Sequence, residues 1–131
     1  MISTKGRYGL RVMIDLAEHD KEGYIPLKEI AARQEISKKY LEIIVKELVS
    51  AGLIEGLSGK GGGYRLTRHA AEYSAGEILE AMEQTLVPVA CLKLEADGCP
   101  RKEACKTLPL WTEYSELVHD FFYGKKLTDL L

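Results

Sequence analysis

Several features that would assign the chain quickly are missing from it. No apolar run approaches the roughly 20 residues needed to span a bilayer. Residues 1–8 carry a basic patch but no apolar stretch or small-residue cleavage site, so a cytoplasmic protein is expected. Cysteine is limited to Cys91, Cys99 and Cys105, and an odd count argues against a disulfide framework. No two of them are only two to four residues apart, the usual spacing in structural zinc sites. Gly56 and Gly59-Lys60 have two residues between them where a phosphate-cradling loop has four, and Tyr64 stands at the third glycine of a dinucleotide-binding pattern. Paired catalytic groups are absent as well, which argues against an enzyme or an electron-transfer domain.

What is present fits one compact core with an appendage. The chain has 131 residues, 46% of them apolar, and 29% are charged. The net charge of −2 conceals an asymmetry. Residues 1–68 hold 12 Lys/Arg against 9 Asp/Glu, a balance of +3, and residues 69–131 hold 6 against 11, a balance of −5. A basic front half before an acidic back half suits a nucleic-acid reader with a separate sensing or assembly half, although chance segregation of solvated charge gives the same balance.

Periodicity supplies the elements. A wide apolar face over residues 7–18 predicts a buried first helix. Leu27, Ile30 and Ala31 predict a short second helix after Pro26. Ser37 is placed to cap a third helix with the stripe Leu41, Ile44, Val45 and Leu48, and Gly52 to stop it. Two β-prone runs, 53–57 and 64–66, flank a glycine-rich turn and predict a hairpin. Thr67 is expected to cap a turn through Glu72. Ser74 with Glu77 is expected to form a capping box opening a helix with Ile78, Leu79 and Met82. Residues 85–106 have no periodicity and predict a long functional loop. Residues 109–123 predict a last long helix, and Thr128 is expected to cap a final turn.

The second and third helices, joined at Glu35-Ile36, make a helix-turn-helix pattern. Its second helix would present Lys38, Lys39, Tyr40, Glu42, Ile43 and Lys46 away from the core. Lysines and the N-terminal N–H groups suit phosphates. A carboxylate at Glu42 is repelled by phosphate but accepts from cytosine N4. The bland alternative is a core helix with a solvated charged face. The hairpin that follows reads as a wing whose glycines admit a sugar-phosphate backbone, or else as a plain surface hairpin. The expected DNA-binding set is Lys28, Ser37, Lys38, Lys39, Tyr40, Glu42, Lys46, Ser58, Lys60, Gly61, Gly62, Tyr64 and Arg65. The cysteines, with seven residues between the first two and five between the last two, admit an iron–sulfur cluster, a zinc ion, or a thiol switch. His69 and His119 read as surface or packing residues, and His19 as a residue favoured at a helix C-terminus.

The stretches Ser3-Thr4-Lys5-Gly6-Arg7-Tyr8, Ile36-Ser37-Lys38-Lys39-Tyr40-Leu41-Glu42, Gly59-Lys60-Gly61-Gly62-Gly63-Tyr64-Arg65-Leu66 and the three cysteines followed by Leu110-Trp111 resemble the IscR-like transcription regulators over nearly the whole chain. The resemblance implies a mainly α fold with a small β-hairpin: a winged helix-turn-helix domain (1–73), then a cluster-binding loop and long dimerisation helix (74–131). It implies a homodimer on a double-stranded DNA operator, with Trp111, Tyr114, Val118, Phe121 and Phe122 at the interface. It implies an iron–sulfur cluster, expected as [2Fe–2S], on Cys91, Cys99 and Cys105, and control of iron–sulfur assembly genes. The residue matching Glu42 tunes operator choice in such proteins. The sequence departs from the pattern at Leu108, where the family commonly has a histidine ligand, and at Ser58, where the wing commonly has arginine. The fourth ligand is thereby left open among Asp97, Glu103, Glu113 and a partner residue. Nitric-oxide sensors of this superfamily have an acidic residue at the position of Tyr8. A cluster-free thiol or nitric-oxide responsive repressor on the same fold is the alternative.

Overall fold

The computed structural model describes residues 2–87 and 103–131. The first helix, α1 (Thr4–Glu18), begins three residues before the apolar periodicity predicts. Its start is set by a local bond, because Ser3 Oγ accepts from the Gly6 N–H at 3.1 Å. Val12, Met13 and Leu16 fill the core from α1.

The helix-turn-helix follows as α2 (Leu27–Gln34) and α3 (Lys38–Ser50). Glu35 ends α2 in the left-handed region at φ +54°, which reverses the chain and drops Ile36 into the core at 5% exposure. Two contacts fix α2 on α1. Arg11 donates to the Gln34 side chain at 3.2 Å and to the Gln34 carbonyl, occupying an acceptor at the end of α2. Asp15 takes Arg33 in a two-pronged bond. As the sequence predicts, Ser37 caps α3, its Oγ accepting from the Tyr40 N–H at 3.2 Å. Gly52, at φ +75°, closes the other end. Its N–H reaches the Val49 carbonyl and the Leu53 N–H reaches that of Leu48, the paired bonds of a glycine stop.

The hairpin is β1 (Ile54–Leu57) against β2 (Gly63–Leu66), antiparallel, with Glu55 opposite Arg65 and Gly56 opposite Tyr64. It is stitched to the residue before α2's cap by Ile25 N–H to the Tyr64 carbonyl (2.8 Å) and Tyr64 N–H to the Ile25 carbonyl (2.9 Å). Its base is held by Tyr73, buried at 1% exposure. The Tyr73 hydroxyl accepts from the Thr67 and Arg68 N–H groups and donates to the Leu53 carbonyl. Thr67 is therefore not the cap expected of it. Its hydroxyl bonds the Gly52 carbonyl at 2.9 Å, and His69 Nδ1 caps the short turn Ala70–Glu72 by accepting from the Ala71 N–H.

The last described helices are α4 (Ala75–Glu83) and α5 (Leu108–Tyr123). Ser74 caps α4 through the Glu77 N–H, but the Glu77 carboxylate turns to Arg68 at 2.6 Å, leaving only half of the expected box. Gly6 and Gly9 let α1 approach α4 closely, since a Cβ on either would press on Glu83 or Met82. The final turn, Leu127–Leu130, is set by the Lys126 N–H donating to Asp129 at 2.8 Å, with Thr128 inside the turn and not at its cap. One core cluster gathers α1, α2, α3, the hairpin, Tyr73, Ile78, Met82 and Leu127. It thus draws side chains from both sides of position 73/74.

Candidate nucleic-acid interface

Helical periodicity sorts α3 cleanly. Leu41, Ile44, Val45 and Leu48 are at most 1% exposed, whereas Lys38, Lys39, Glu42, Ile43 and Lys46 are exposed. Tyr40 is half-buried, its ring meeting Tyr8 edge-on at 5.7 Å, with Arg11 lying 5.0 Å from the Tyr8 ring centre. The first turn of α3 carries no acidic side chain, so its N-terminal N–H groups and Lys38 and Lys39 form a continuous positive end. The exposed Lys28 stands in the first turn of α2.

The hairpin lies beside this surface. Lys46, Val49 and Ser50 of α3 share a groove of about 470 Å³ with Gly56, Leu57, Ser58, Gly63 and Tyr64. Lys46, Ser58 and Tyr64 of the expected set are thereby brought together. Lys60 and Gly61 stand exposed at the tip, and Gly62 is half-buried in the turn. Val49 and Leu57 line the same groove and were not singled out from the sequence.

Arg65 faces elsewhere. Strand alternation puts it with Glu55, on the side of the hairpin opposite Tyr64 and Gly56. Its Nε donates to Glu55 at 2.5 Å, and its guanidinium stacks 4.4 Å from the Tyr24 ring centre. The hydrogen bond that Arg65 donates to Glu55 holds its guanidinium even more firmly protonated than usual. The cross-strand register carries this pairing, and the sequence offered it only once the hairpin register was fixed.

Cys91 and Cys99 lie outside the described residues. Cys105 is half-buried just before α5, with its Sγ 3.3 Å from Thr107 Oγ1. Thr107, the residue before α5, makes no side-chain cap. A cysteine sulfur is a soft donor, which fits a metal ligand. Leu108 begins α5 and offers no donor. Among the described residues, no three His, Cys, Asp or Glu side chains converge on a metal-sized space.

α5 buries no residue fully. Trp111, Val118 and Phe122 are half-buried, whereas Tyr114 and Phe121 are exposed at 49% and 58%. Leu110 and Leu117, which were not placed at the interface from sequence, are exposed at 57% and 63%. Leu110, Tyr114, Leu117 and Phe121 follow one another at spacings of four, three and four and form one stripe. Ile2 and Leu86 join Tyr114, Leu117, Phe121 and Phe122 around an apolar groove of about 850 Å³ beside it. No described helix is long and apolar enough to cross a membrane.

The fold has counterparts. "HTH-type transcriptional regulator IscR" of Serratia proteamaculans is 35% identical over 130 residues, covering 99% of this chain and 78% of its own. "Protein rrf2" of Nitratidesulfovibrio vulgaris is 36% identical, covering 99% and 86%. Among solved structures, CymR, the global cysteine regulator of B. subtilis, is 37% identical with a TM-score of 0.79, covering 99% of this chain and 95% of its own. IscR of T. potens is 32% identical with a TM-score of 0.75, covering 99% and 85%. These relatives are winged-helix transcription regulators, not enzymes. The family model for Rrf2, described as an iron-dependent transcriptional regulator, matches residues 2–131. Mainly α with one two-stranded hairpin, the chain belongs to the Rrf2 family of transcription regulators.

Proposed function

We propose that the chain binds a roughly palindromic double-stranded DNA operator as a homodimer, and that an iron–sulfur cluster on Cys91, Cys99 and Cys105 decides which operators it accepts. The observation that carries the DNA reading is the continuity of the exposed face of α3 with the wing, through the groove shared by Lys46, Ser58 and Tyr64. The positive end of α3 supplies Ser37, Lys38, Lys39 and the helix N–H groups for phosphates, with Glu42 at base edges. Lys60 and the tip glycines reach the flanking backbone. Arg65 contacts DNA only after leaving Glu55, so it ranks behind Lys60.

Three thiolates are soft donors suited to an iron–sulfur cluster, [2Fe–2S] in this reading, and such a cluster supplies sensitivity to iron supply and oxidation. Cys105, next to the uncapped start of α5, would report the state of the loop to that helix. The genes under control are those of iron–sulfur assembly. A second reading, a cluster-free thiol-responsive regulator, is favoured by the likeness to CymR.

One experiment separates them. The full chain is purified without oxygen, its visible absorption recorded, and its binding to duplexes selected from a random pool measured against salt. A brown protein whose log affinity falls linearly with log salt, and whose Cys105→Ser variant is bleached with altered duplex preference, supports the cluster reading. A colourless protein that binds the same duplexes supports the thiol reading. A protein without duplex preference removes both.

A further inference from the structure

We propose that Ile43 reads a thymine methyl group in the major groove and so fixes one base of the sequence this chain accepts. The inference rests on α3 being the DNA-reading helix.

Ile43 is the sixth residue of α3 and is 52% exposed. The inward stripe of the helix is already complete in Leu41, Ile44, Val45 and Leu48, so Ile43 has no packing role in the core. It stands four residues after Lys39 and three before Lys46, which puts all three on one face of the helix. A branched hydrocarbon is thus flanked on both sides by ammonium groups. A lone exposed isoleucine on an ordinary surface would need no explanation. On a face shared with Lys39 and Lys46, whose ammonium groups suit phosphates, it has one apolar counterpart, because the major groove presents a single methyl group, at C5 of thymine.

The side chain also discriminates against the alternatives. Isoleucine can neither donate nor accept, so lying over adenine N6/N7, guanine N7/O6 or cytosine N4 it would strand a polar edge. Its branched Cβ holds it to one dominant rotamer in a helix, so little freedom is lost on contact. With Glu42 beside it accepting from cytosine N4, the pair favours a cytosine and a thymine within one half-site.

The test uses the full chain and a duplex selected from a random pool. Each thymine is replaced in turn by deoxyuridine, which removes only the methyl group, and binding is compared for the wild type, Ile43→Ala and Ile43→Gln. Expected is one thymine per half-site whose replacement weakens the wild type about fourfold, the worth of one buried methyl group. The same replacement should leave Ile43→Ala unchanged. Ile43→Gln is expected to select adenine there. If every thymine tolerates replacement in the wild type, or the penalties persist in Ile43→Ala, the assignment falls while DNA binding stands. Recovery of no preferred duplex removes the DNA reading itself, and Ile43 with it. Thermal melting by circular dichroism checks that both variants fold; the wild-type uracil series needs no variant.

Discussion

Asp15 is the charged residue buried in the described core, at 1% exposure. An unpaired carboxylate there would cost several kcal/mol. Arg33 meets it at 3.0 and 2.8 Å and Gln34 at 2.9 Å, which ties α1 to the first helix of the helix-turn-helix. Burial pushes the Asp15 carboxyl up, but the hydrogen bonds from Arg33 and Gln34, with the charges of Arg33 and His19, hold it below its usual value. A depressed folded pKa contributes stability above the unfolded pKa of 3.8 that is lost as pH falls through the folded value. Asp15→Asn is therefore expected to destabilise the chain by about 2–3 kcal/mol at pH 7, below the range for a fully buried pair because Arg33 is one-third exposed. Urea unfolding at pH 7 and below pH 4 checks this: the gap between wild type and variant should narrow in acid, and a constant gap would contradict it. At the residue scale, the α3 surface was legible because Lys38, Lys39, Glu42 and Lys46 follow the helical period on which Leu41 and Ile44 point inward. The partner of Arg65 was not legible in the same way, because it depends on which residue of β1 comes to lie opposite.

The wing is a docked element, and its glycines divide into two kinds. Gly59 and Gly61 have positive φ with open space where a Cβ would go. At Gly63, φ +149°, a Cβ would strike the Ile25 carbonyl and come within 2.7 Å of Pro26 N, both backbone atoms of the segment to which the wing is stitched. The sequence reading gave the glycines to DNA approach; at Gly63 the need is internal. Gly63→Ala is expected to cost on the order of 2–3 kcal/mol locally, whereas Gly61→Ala carries only a left-handed penalty of about 1 kcal/mol. Hydrogen exchange is the measurement: Gly63→Ala should speed exchange of the Ile25 and Tyr64 amides, and Gly61→Ala should leave them protected. Elements fixed by local bonds were legible, as Ser37 and Gly52 at the two ends of α3 demonstrate. Those fixed by contacts distant in sequence were not. The first turn of α1, although capped locally by Ser3, has no apolar rhythm, because Gly6 is there to admit Glu83 from α4, and Thr67 was read as a cap although its hydroxyl is drawn back to Gly52 across fifteen residues of chain.

At the scale of the whole molecule, the core includes Ile78, Met82 and Leu127 with the helix-turn-helix, so α4 and the final turn support the helix-turn-helix. α5 stands apart from that core, burying no residue fully and exposing Leu110, Tyr114, Leu117 and Phe121 along one line. The sequence placed aromatics on both sides of this helix, and periodicity alone did not say which side its own chain covers. Trp111, Val118 and Phe122 turn out half-covered, which leaves the leucine-bearing stripe for a second copy in the proposed dimer. Leu117, at 63% exposure, contributes little to the fold of one chain, so a charge there tests assembly without threatening the core. Leu117→Glu is expected to halve the mass in sedimentation equilibrium at micromolar concentration. It should weaken binding to a palindromic operator by about 100-fold or more, because two half-sites are then no longer engaged by one linked particle. Leu131→Glu, at an equally apolar and exposed position outside the stripe, should change neither quantity. If Leu117→Glu stays dimeric and grips the full operator as before, α5 is not the seam between copies, and the two recognition helices must be spaced along the DNA by some other surface.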